Sequence, residues 1–294
     1  MTPITVVEGR RLALSNLDKI LYAATGTTKG EVLHYYARTA GPLLAHLADR
    51  PVSFLRYPDG PDGQRFFTKN PPPGTPSWVR IAEVPRKTAD TGEQVVVEDL
   101  PALMWAANLV VEFHTHQWRA RTPDRADRLV FDLDPGTPAT AVECCRVALW
   151  LRERLGSDGL DAYVKTSGSK GLHVLVPLVT ADCAEVSAYA KGLAVEAEAA
   201  LPELVVHRMR RSLRLGKVFV DHSQNAAAKT TAAPYTLRAR AEPTVSTPVT
   251  WGEIESCTAA EQLVFRLDDL AGRLERYGDL LGPLLDPDSA GALP

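Results

Sequence analysis

The feature that most constrains the fold is the segment LVFDLDPG at residues 129–136, which combines a strand pattern with two closely spaced acids. Apolar residues lead into Asp132, Leu133 and Asp134, and a Pro-Gly pair then breaks the pattern, which predicts a buried strand that ends in a turn. Side chains alternate along a strand, so both acids share one face while Leu133 points into the core. Adjacent carboxylates repel each other unless both are solvated or a divalent cation lies between them. Taken alone, a solvated strand end is the simpler interpretation.

Composition sets the broad class of protein. The 294 residues suffice for one large α/β domain or two small ones. Contents of 45% hydrophobic and 23% charged residues are typical of globular proteins. No apolar run is long enough to span a membrane, and residues 1–10 do not resemble an export signal. We therefore expect a cytoplasmic protein without a membrane partner.

Cysteine usage and charge narrow the chemistry. The chain has four cysteines, Cys144, Cys145, Cys183 and Cys257. None forms a C-x-x-C pair, which argues against a zinc site and a disulfide framework. The net charge of −3 does not by itself favour a nucleic-acid-binding protein. The charge is unevenly distributed along the sequence, however, because residues 208–217 are basic and residues 253–288 are acidic. A basic groove is therefore compatible with a net charge of −3.

Two candidate contacts for a phosphate-bearing partner lie in the N-terminal part. Lys19 and Lys29 are near the starts of two predicted helices, the second of which covers about residues 31–48. A cation at a helix start opposes the helix dipole, so a nearby anion is favourable. Phe66 and Phe67 lie between basic residues just before a proline loop, where an aromatic ring can stack on an exposed base. The simpler alternatives are exposed lysines and at least one phenylalanine in the core.

A short strand candidate places Glu112, His114 and His116 on one face. The H-x-H pair could bind a metal, but no third histidine has a fitting spacing. A polar or phosphate-contacting role is therefore favoured over zinc binding.

Further segments carry residues suited to phosphate and metal chemistry. The loop SGSKG at 167–171, followed by His173, offers backbone N–H groups and the charge of Lys170 to a phosphate, although it lacks the Walker A pattern. Asp221 ends another predicted strand, so a third carboxylate arrives at a strand end. Residues 235–240 place two arginines on one strand face.

Together these residues suit one kind of reaction. Two divalent ions about 3.5–4 Å apart, held by carboxylates, activate an attacking oxygen and stabilise a leaving phosphate. Basic residues neutralise the charge that develops in the transition state. This combination is typical of nucleotidyl transfer. Strands and helices alternate throughout, which predicts one integrated α/β unit.

Several motifs, in order, resemble one family, the polymerase domain of bacterial DNA ligase D in the archaeo-eukaryotic primase superfamily. The main motifs are FDLDP at 131–135, SGSKGLH at 167–173 and VFVD at 218–221 followed by Gln224 and Asn225. Supporting motifs are NLDK at 16–19, TGTTKG at 25–30, RFF at 65–67, EFH at 112–114, YTLRAR at 235–240 and VSTP at 245–248. The resemblance covers nearly the whole chain.

The resemblance implies an α/β (α+β) primase-polymerase fold, with central mixed or antiparallel sheets and an RRM-like catalytic core flanked by helices. We therefore expect a single primase-polymerase domain over residues 1–285. Its expected parts are an N-terminal part at 1–125 with the 5′-phosphate and template contacts, the catalytic core at 126–250 and a helical tail at 251–285, followed by a flexible C-terminus at 286–294.

The resemblance also implies roles for the candidate residues. The implied catalytic and metal-binding residues, for two Mn²⁺ or Mg²⁺ ions, are Asp132, Asp134 and Asp221. The implied binding residues for an NTP or dNTP are His114, Ser167, Lys170, His173, Gln224 and Arg238, with His114 and Gln224 near the sugar. The implied DNA-binding residues are Lys19 and Lys29 at a 5′-phosphate, Phe66 and Phe67 on the template, and Arg214 near the metals and the primer end.

The implied activity is template-dependent DNA or RNA polymerisation by a nucleotidyltransferase that fills gaps or extends ends in double-strand-break repair by non-homologous end joining. Ready use of ribonucleotides and of manganese is part of this expectation. Because no ligase or phosphoesterase module follows, we expect a stand-alone, nucleoid-associated member. Its expected partners are gapped or broken DNA, nucleoside triphosphates, a ligase acting in trans and a Ku-type end binder.

Three alternatives share these residues. De novo priming uses the same motifs and adds a site for an initiating nucleotide. A DNA-end-binding scaffold would bridge broken ends and recruit a ligase. A metal-dependent phosphohydrolase would break down nucleotides without a template.

Overall fold

The computed structural model describes residues 4–85 and 91–294. The chain forms two compact units, each built from segments that are distant in sequence. Unit 1 comprises Met1–His116, Ala232–Ser246 and Phe265–Gly278, and unit 2 comprises Gln117–Thr231, Thr247–Val264 and Asp279–Pro294. One functional domain over residues 1–285, with the parts named above, stays a prediction.

Strands and helices alternate along the described ranges. The strands are β1 (Ile4–Val7), β2 (Arg10–Ala13), β3 (Ile20–Tyr22), β4 (Thr27–Thr28), β5 (Pro51–Arg56), β6 (Phe66–Thr68), β7 (Ile81–Pro85), β8 (Thr91–Val96), β9 (Val111–Thr115), β10 (Arg125–Pro135), β11 (Tyr163–Thr166), β12 (Leu172–Asp182), β13 (Val205–Val206), β14 (Val218–Asp221), β15 (Thr231–Ala232) and β16 (Pro248–Val249). The helices are α1 (Lys29–Arg38), α2 (Ala40–Leu47), α3 (Leu100–Asn108), α4 (Ala141–Ser157), α5 (Cys183–Ala200), α6 (Trp251–Glu255) and α7 (Asp269–Tyr277). In the residues that are described, no helix is both long and apolar enough to cross a bilayer.

The larger sheet of unit 1 has the order β15-β9-β5-β8-β7, with β6 paired to β5 beside that path. Helices α1 and α3 pack together over an apolar core, in which the rings of Tyr36 and Phe113 meet edge to face at 5.4 Å. The segment that returns from unit 2 enters the same core, because Leu237 is fully buried and its N–H donates to the Tyr36 hydroxyl at 3.1 Å. Residues 232–246 are thus an interior part of unit 1.

The predicted continuous helix over residues 31–48 is wrong, because the structure divides it into α1 and α2. Helix α1 begins after Thr28, whose side chain and that of Glu31 cap each other's backbone N–H groups. Thr39 interrupts the helix: its hydroxyl donates to the carbonyl four residues earlier at 2.9 Å, and its backbone leaves the helical region. Pro42 lies in the first turn of α2, where its missing N–H costs no hydrogen bond.

Unit 2 is built on the order β10, α4, β11, β12, α5, β14. Its sheet has the order β13-β14-β10-β12-β11-β16, so the long strands β10 and β12 lie at the centre. Strand β10 is antiparallel to both β12 and β14. This β-α-β-β-α-β arrangement is that of ferredoxin-like and RRM-like sheets. The predicted α+β fold, with antiparallel sheets and an RRM-like core flanked by helices, is confirmed.

The two faces of this sheet differ in character. Helices α4 and α5 pack against one face of β10 and β12, where Phe131 and Leu133 are fully buried. Because side chains alternate along β10, Asp132 and Asp134 lie on the other face. We call that second face the acidic face. An apolar cluster occupies it farther along the strands and consists of Val130, Leu175, Leu281 and Leu284.

The C-terminal segment contacts strand β12. The N–H of Val179 donates to the carbonyl of Gly291 at 2.9 Å, and Gly291 forms a parallel bridge with Leu178. Flexibility of residues 286–294 stays a prediction.

Candidate functional site

Four polar residues form a row across the acidic face of unit 2. In the antiparallel register, Asp132 lies opposite Asp221 on one side and opposite His173 on the other. His173 in turn lies opposite Lys165 on β11. Directly opposed residues have Cβ atoms about 4.5–5.5 Å apart. The sheet therefore brings together polar side chains that come from separate parts of the sequence.

The predicted metal-binding carboxylates lie in different surroundings. Asp221 is buried; its Oδ1 accepts from the N–H and hydroxyl of Ser223 at 3.0 and 2.6 Å, and its Oδ2 accepts from the Gln224 amide at 2.9 Å. Asp132 is partly buried, with Oδ1 3.3 Å from Nε2 of His173. Asp134 lies two residues farther along the same face and is exposed.

The side chains as placed do not form a ready metal cage. Within residues 4–85 and 91–294, no three His, Cys, Asp or Glu side chains are close enough together to hold an ion as they stand. The donor set nevertheless suits Mg²⁺ or Mn²⁺, which prefer carboxylate oxygens. An ionised carboxylate has about four acceptor sites, and three are used on Asp221. Binding of such an ion by Asp132, Asp134 and Asp221 stays a prediction.

A side-chain amide continues the strand pairing beyond these acids. Strand β14 pairs with β10 only as far as Asp132 and Asp221. Next along β10, the N–H and C=O of Val130 bond to Oδ1 and Nδ2 of Asn225 at 2.8 and 2.7 Å. Asn225 is fully buried. It thereby anchors the turn that carries Gln224 to the central strand.

The loop between β11 and β12 is organised by Ser167. Its hydroxyl oxygen accepts from the N–H groups of Ser169 and Gly171, both at 3.2 Å. A Cβ on Gly171 would lie 1.8 Å from the Leu133 carbonyl oxygen, so only glycine lets the loop meet β10 this closely. Lys170 is exposed at the loop tip and lines a cavity of about 300 Å³ with residues of the turn after β10. Phosphate binding by this loop stays a prediction.

Arg214 reaches the acidic face through Phe219. Its guanidinium carbon lies 3.5 Å from the centroid of the Phe219 ring, a cation–π contact. Phe219 lies opposite Asp134 in the register of β14 with β10. A Cβ on Gly136 would lie 1.9 Å from the Arg214 carbonyl oxygen, so glycine at the end of β10 allows the basic loop to pack there. Arg214 therefore packs on the register partner of Asp134, and its role near the metals and the primer end stays a prediction.

In unit 1, Lys19 and Lys29 lie together at the start of α1. The Lys29 N–H donates to the Lys19 carbonyl at 2.8 Å. The Lys19 ammonium contacts Asp59 at 2.6 Å, and that of Lys29 lies 3.4 Å from the Ser15 hydroxyl. Burial, and then the charge of Lys19, lowers the pKa of Lys29. A phosphate bound by both ammonium groups would relieve this repulsion.

Phe66 and Phe67 point to opposite faces of β6. They are 41% and 53% exposed, so the alternative that one of them belongs to the core is wrong. The Phe67 ring meets that of His114 edge to face at 6.0 Å. Stacking of both phenylalanines on a template stays a prediction.

Glu112 joins His114 to Arg238 within unit 1. Its Oε2 lies 3.0 Å from Nε2 of His114 and accepts from Nε of Arg238 at 2.9 Å, while Oε1 accepts from the Ala239 N–H. Burial raises the pKa of the Glu112 carboxyl. The hydrogen bond from His114, the charge of Arg238 and the Ala239 N–H outweigh that effect and lower the pKa to about 2. The carboxylate is therefore ionised at neutral pH.

The two histidines of the H-x-H pattern have different partners. His114 contacts Glu112, whereas the buried His116 bonds to Oε1 of Gln94 at 3.1 Å. The polar or phosphate-contacting role favoured for these histidines stays a prediction.

Glu112 and Lys165 received no role from the sequence patterns, yet the structure places them in these two clusters. They are only 2% and 1% exposed. Charged residues are almost never fully buried unless they are paired. A charged residue inside an otherwise apolar strand, as in VEFH and YVKT, is the signal that could have marked both.

The family model described as the LigD primase-polymerase domain matches residues 28–281. The chain belongs to this family. A solved structure of the LigD family, the polymerase domain of Mycobacterium tuberculosis ligase D in complex with DNA, is similar to the chain. It superposes with a TM-score of 0.88 at 40% identity, covering 94% of this chain and 98% of that one.

Curated LigD relatives are longer than the chain. The multifunctional non-homologous end joining protein LigD of Mycolicibacterium smegmatis is 43% identical over 278 residues, which are 93% of this chain and 36% of that protein. The bifunctional non-homologous end joining protein LigD of Bacillus subtilis is 30% identical over 271 residues, 91% of this chain and 43% of that protein. The chain thus spans less than half the length of these LigD proteins.

Proposed function

We propose that the chain is a template-dependent polymerase, a nucleotidyltransferase that fills gaps or extends DNA ends in double-strand-break repair by non-homologous end joining. The observation that carries the proposal is the row in which Asp132 lies between Asp221 and His173 on neighbouring strands. Paired carboxylates can hold divalent cations. The neighbouring imidazole and basic loop suit the charge of an incoming triphosphate. The names of the curated relatives, which are end joining proteins, support the same activity.

We assign Asp132, Asp134 and Asp221 as ligands for Mn²⁺ or Mg²⁺. Bound there, such ions would supply Lewis-acid activation of the primer hydroxyl and stabilisation of the leaving pyrophosphate. Ser223 and Gln224 orient the Asp221 carboxylate through their hydrogen bonds, which reduces the side-chain freedom that would otherwise be lost on binding.

The neighbouring residues would hold the triphosphate. Lys170 supplies a mobile point charge at the loop tip, and the imidazole of His173 can donate to a phosphate oxygen. Ser167 fixes the loop from which Lys170 projects. Gln224, already bonded to Asp221, is assigned to the nucleotide. In unit 1, His114 and Arg238 are assigned to the sugar and the triphosphate.

The DNA contacts are assigned to side chains of both units. Lys19 and Lys29, near the N-terminus of α1, would bind the 5′-phosphate of a gap or break, because their ammonium groups attract phosphate and the positive end of the helix dipole favours an anion. The exposed rings of Phe66 and Phe67 would stack on the template. Arg214 would lie near the primer end.

Three finer points rest on the family rather than on the geometry. They are ready use of ribonucleotides, a preference for manganese and cooperation with a Ku-type end binder.

The test is primer extension on a short gapped duplex with a 5′-phosphate, in manganese, with ribo- and deoxynucleotides supplied separately. Asp132→Ala and Asp134→Ala are compared with Glu185→Ala, which removes an exposed acid on α5. We expect templated addition that is lost in both aspartate variants and kept in Glu185→Ala. Tight duplex binding without addition would favour the scaffold, untemplated nucleotide breakdown would favour the phosphohydrolase, and synthesis without a primer would favour priming.

A further inference from the structure

A single buried carboxylate contacts two of the side chains assigned to the nucleotide. Glu112 and His114 share one face of β9, and Arg238 comes from the segment that returns to unit 1. The three side chains are joined through one oxygen of Glu112, and the other oxygen accepts from the Ala239 N–H. Glu112 is only 2% exposed, so these donors stand in for the water that an exposed carboxylate would bind.

We propose that Glu112 is a positioning residue for nucleotide binding, which fixes the tautomer of His114 and the orientation of Arg238. This inference rests on the proposed function, because the nucleotide is the ligand of that function. Glu112 itself touches neither the nucleotide nor the reacting atoms in this proposal.

The contact determines which nitrogen of His114 carries a proton. An ionised carboxylate can only accept hydrogen bonds, so Nε2 of His114 must donate to Glu112. In the neutral ring Nδ1 is then the acceptor, which suits a hydroxyl group such as that of a sugar. The Phe67 ring also packs edge to face with the imidazole, with the two ring centroids 6.0 Å apart. The ring is therefore held by a carboxylate and by an aromatic side chain.

The same carboxylate fixes the plane of the Arg238 guanidinium. Because Nε donates to Glu112, any phosphate contact falls to the terminal nitrogens. The backbone at this position is also fixed, since the Arg238 carbonyl accepts from the Tyr22 hydroxyl at 3.1 Å and its N–H donates to the Thr244 carbonyl at 2.8 Å. An arginine held in this way loses little side-chain entropy when it binds a phosphate.

The first test compares Glu112→Gln with the wild-type chain in primer extension. Glutamine keeps the shape but removes the charge and offers one acceptor oxygen instead of two. We expect the KM for the nucleotide to rise about 10-fold, because His114 and Arg238 lose the charge-assisted hydrogen bonds that orient them, with little change in the Kd for DNA. The matched control is Glu198→Gln, because Glu198 in unit 2 also binds one histidine and one arginine, His207 and Arg208.

The second readout needs no nucleotide. The nitrogen chemical shifts of the His114 imidazole, assigned with a His114→Gln variant, report which nitrogen carries the proton. We expect the Nε2-protonated form in the wild-type chain and loss of that preference in Glu112→Gln. A residue that only stabilised the fold would not change the tautomer of a folded variant.

The outcomes separate this inference from the proposed function. If the wild-type chain adds no nucleotide, the proposed function fails, while the tautomer still tests the contact. If the wild-type chain is active and folded Glu112→Gln keeps both its nucleotide KM and its His114 tautomer, the positioning role is wrong. Should Glu112→Gln not fold, Glu112→Asp decides, because it keeps the charge but is too short to reach all its partners; an unchanged KM there would overturn the proposal.

Discussion

Asp132 lies directly opposite Asp221 in the antiparallel pairing of β10 with β14. Like charges at opposed positions of a sheet are destabilising, so a purely structural strand pair would not place two aspartates there. On the other side of Asp132, Nε2 of His173 lies 3.3 Å from the Asp132 Oδ1. A divalent cation bound between the two carboxylates would offset the repulsion expected of like charges at opposed positions.

Replacing Asp132 by Asn should separate stability from activity. In the presence of a chelator, we expect the free energy of unfolding to rise by about 0.5 kcal/mol, because the opposed charges are removed. We expect templated addition to fall at least about 100-fold, because several kcal/mol of metal-dependent stabilisation are lost. Urea unfolding and primer extension measure the two effects. A less stable but fully active variant would contradict the assignment.

Replacing Asn225 by Ala should destabilise unit 2. The change leaves the buried N–H and C=O of Val130 without their side-chain partner, which we expect to cost about 3 kcal/mol of unfolding free energy. Asn225→Asp is the matched comparison, because a carboxylate accepts from the Val130 N–H but cannot donate to its C=O. In urea unfolding, Asn225→Asp and Asn225→Ala should both be less stable than wild type and should differ from each other. Equal stabilities of the three chains would refute the anchoring role.

The acidic strand could be predicted from sequence because its information is local. Alternation places Asp132 and Asp134 on one face and Leu133 in the core, and a Pro-Gly pair ends the strand. The pairing partners are not local. That Asp221 and His173 lie on either side of Asp132 depends on the register of three strands that are distant in sequence.

The helix break and the buried charges could not be predicted in the same way. The region around Thr39 keeps a helical apolar pattern, yet its backbone leaves the helical region while its N–H and its hydroxyl both bond to the Tyr35 carbonyl. Glu112 reads as a solvent-facing residue of an alternating strand. Its burial depends on Arg238 and Ala239, which reach unit 1 from a distant segment.

The lysine pair should confer a preference for 5′-phosphorylated gaps. We expect the combined Lys19→Ala and Lys29→Ala change to reduce that preference about 10-fold, since charge-assisted contacts are worth about 1.5–3 kcal/mol, while simple primer extension is largely kept. The Kd values for gaps with a 5′-phosphate or a 5′-hydroxyl give the ratio. Equal losses on both kinds of substrate would refute the site.

The same ratio should depend on pH through Lys29. Its pKa is lowered by burial and by the charge of Lys19, and a lysine attracts phosphate only below its pKa. The preference for a 5′-phosphate should therefore be present at neutral pH and decline on alkalinisation at a lower pH than an ordinary lysine with a pKa of about 10.4 would give. In a Lys29→Ala variant the remaining preference should lack this transition.

The Glu112 carboxylate should make stability depend on acid pH. Its pKa is about 2 in the folded chain against the ordinary 4.5, so its contribution is complete above the unfolded pKa and is lost as pH falls towards 2. We expect this contribution to be about 3 kcal/mol. The nearby Tyr22, Tyr36 and Tyr57 have raised pKa values and do not titrate in this range. Urea unfolding of wild type and Glu112→Gln should converge as the pH is lowered, and a constant difference would contradict the low pKa.

The most direct test of the acidic face measures Mn²⁺ binding and templated addition in the same samples. Electron paramagnetic resonance of the free ion reports how much Mn²⁺ is bound. Wild type should bind Mn²⁺ in the presence of nucleotide and primed template and add the templated nucleotide. Asp132→Asn and Asp134→Asn should lose both properties together, while Glu185→Ala keeps both. Unchanged ion binding and nucleotide addition in the two aspartate variants would show that the catalytic centre lies elsewhere.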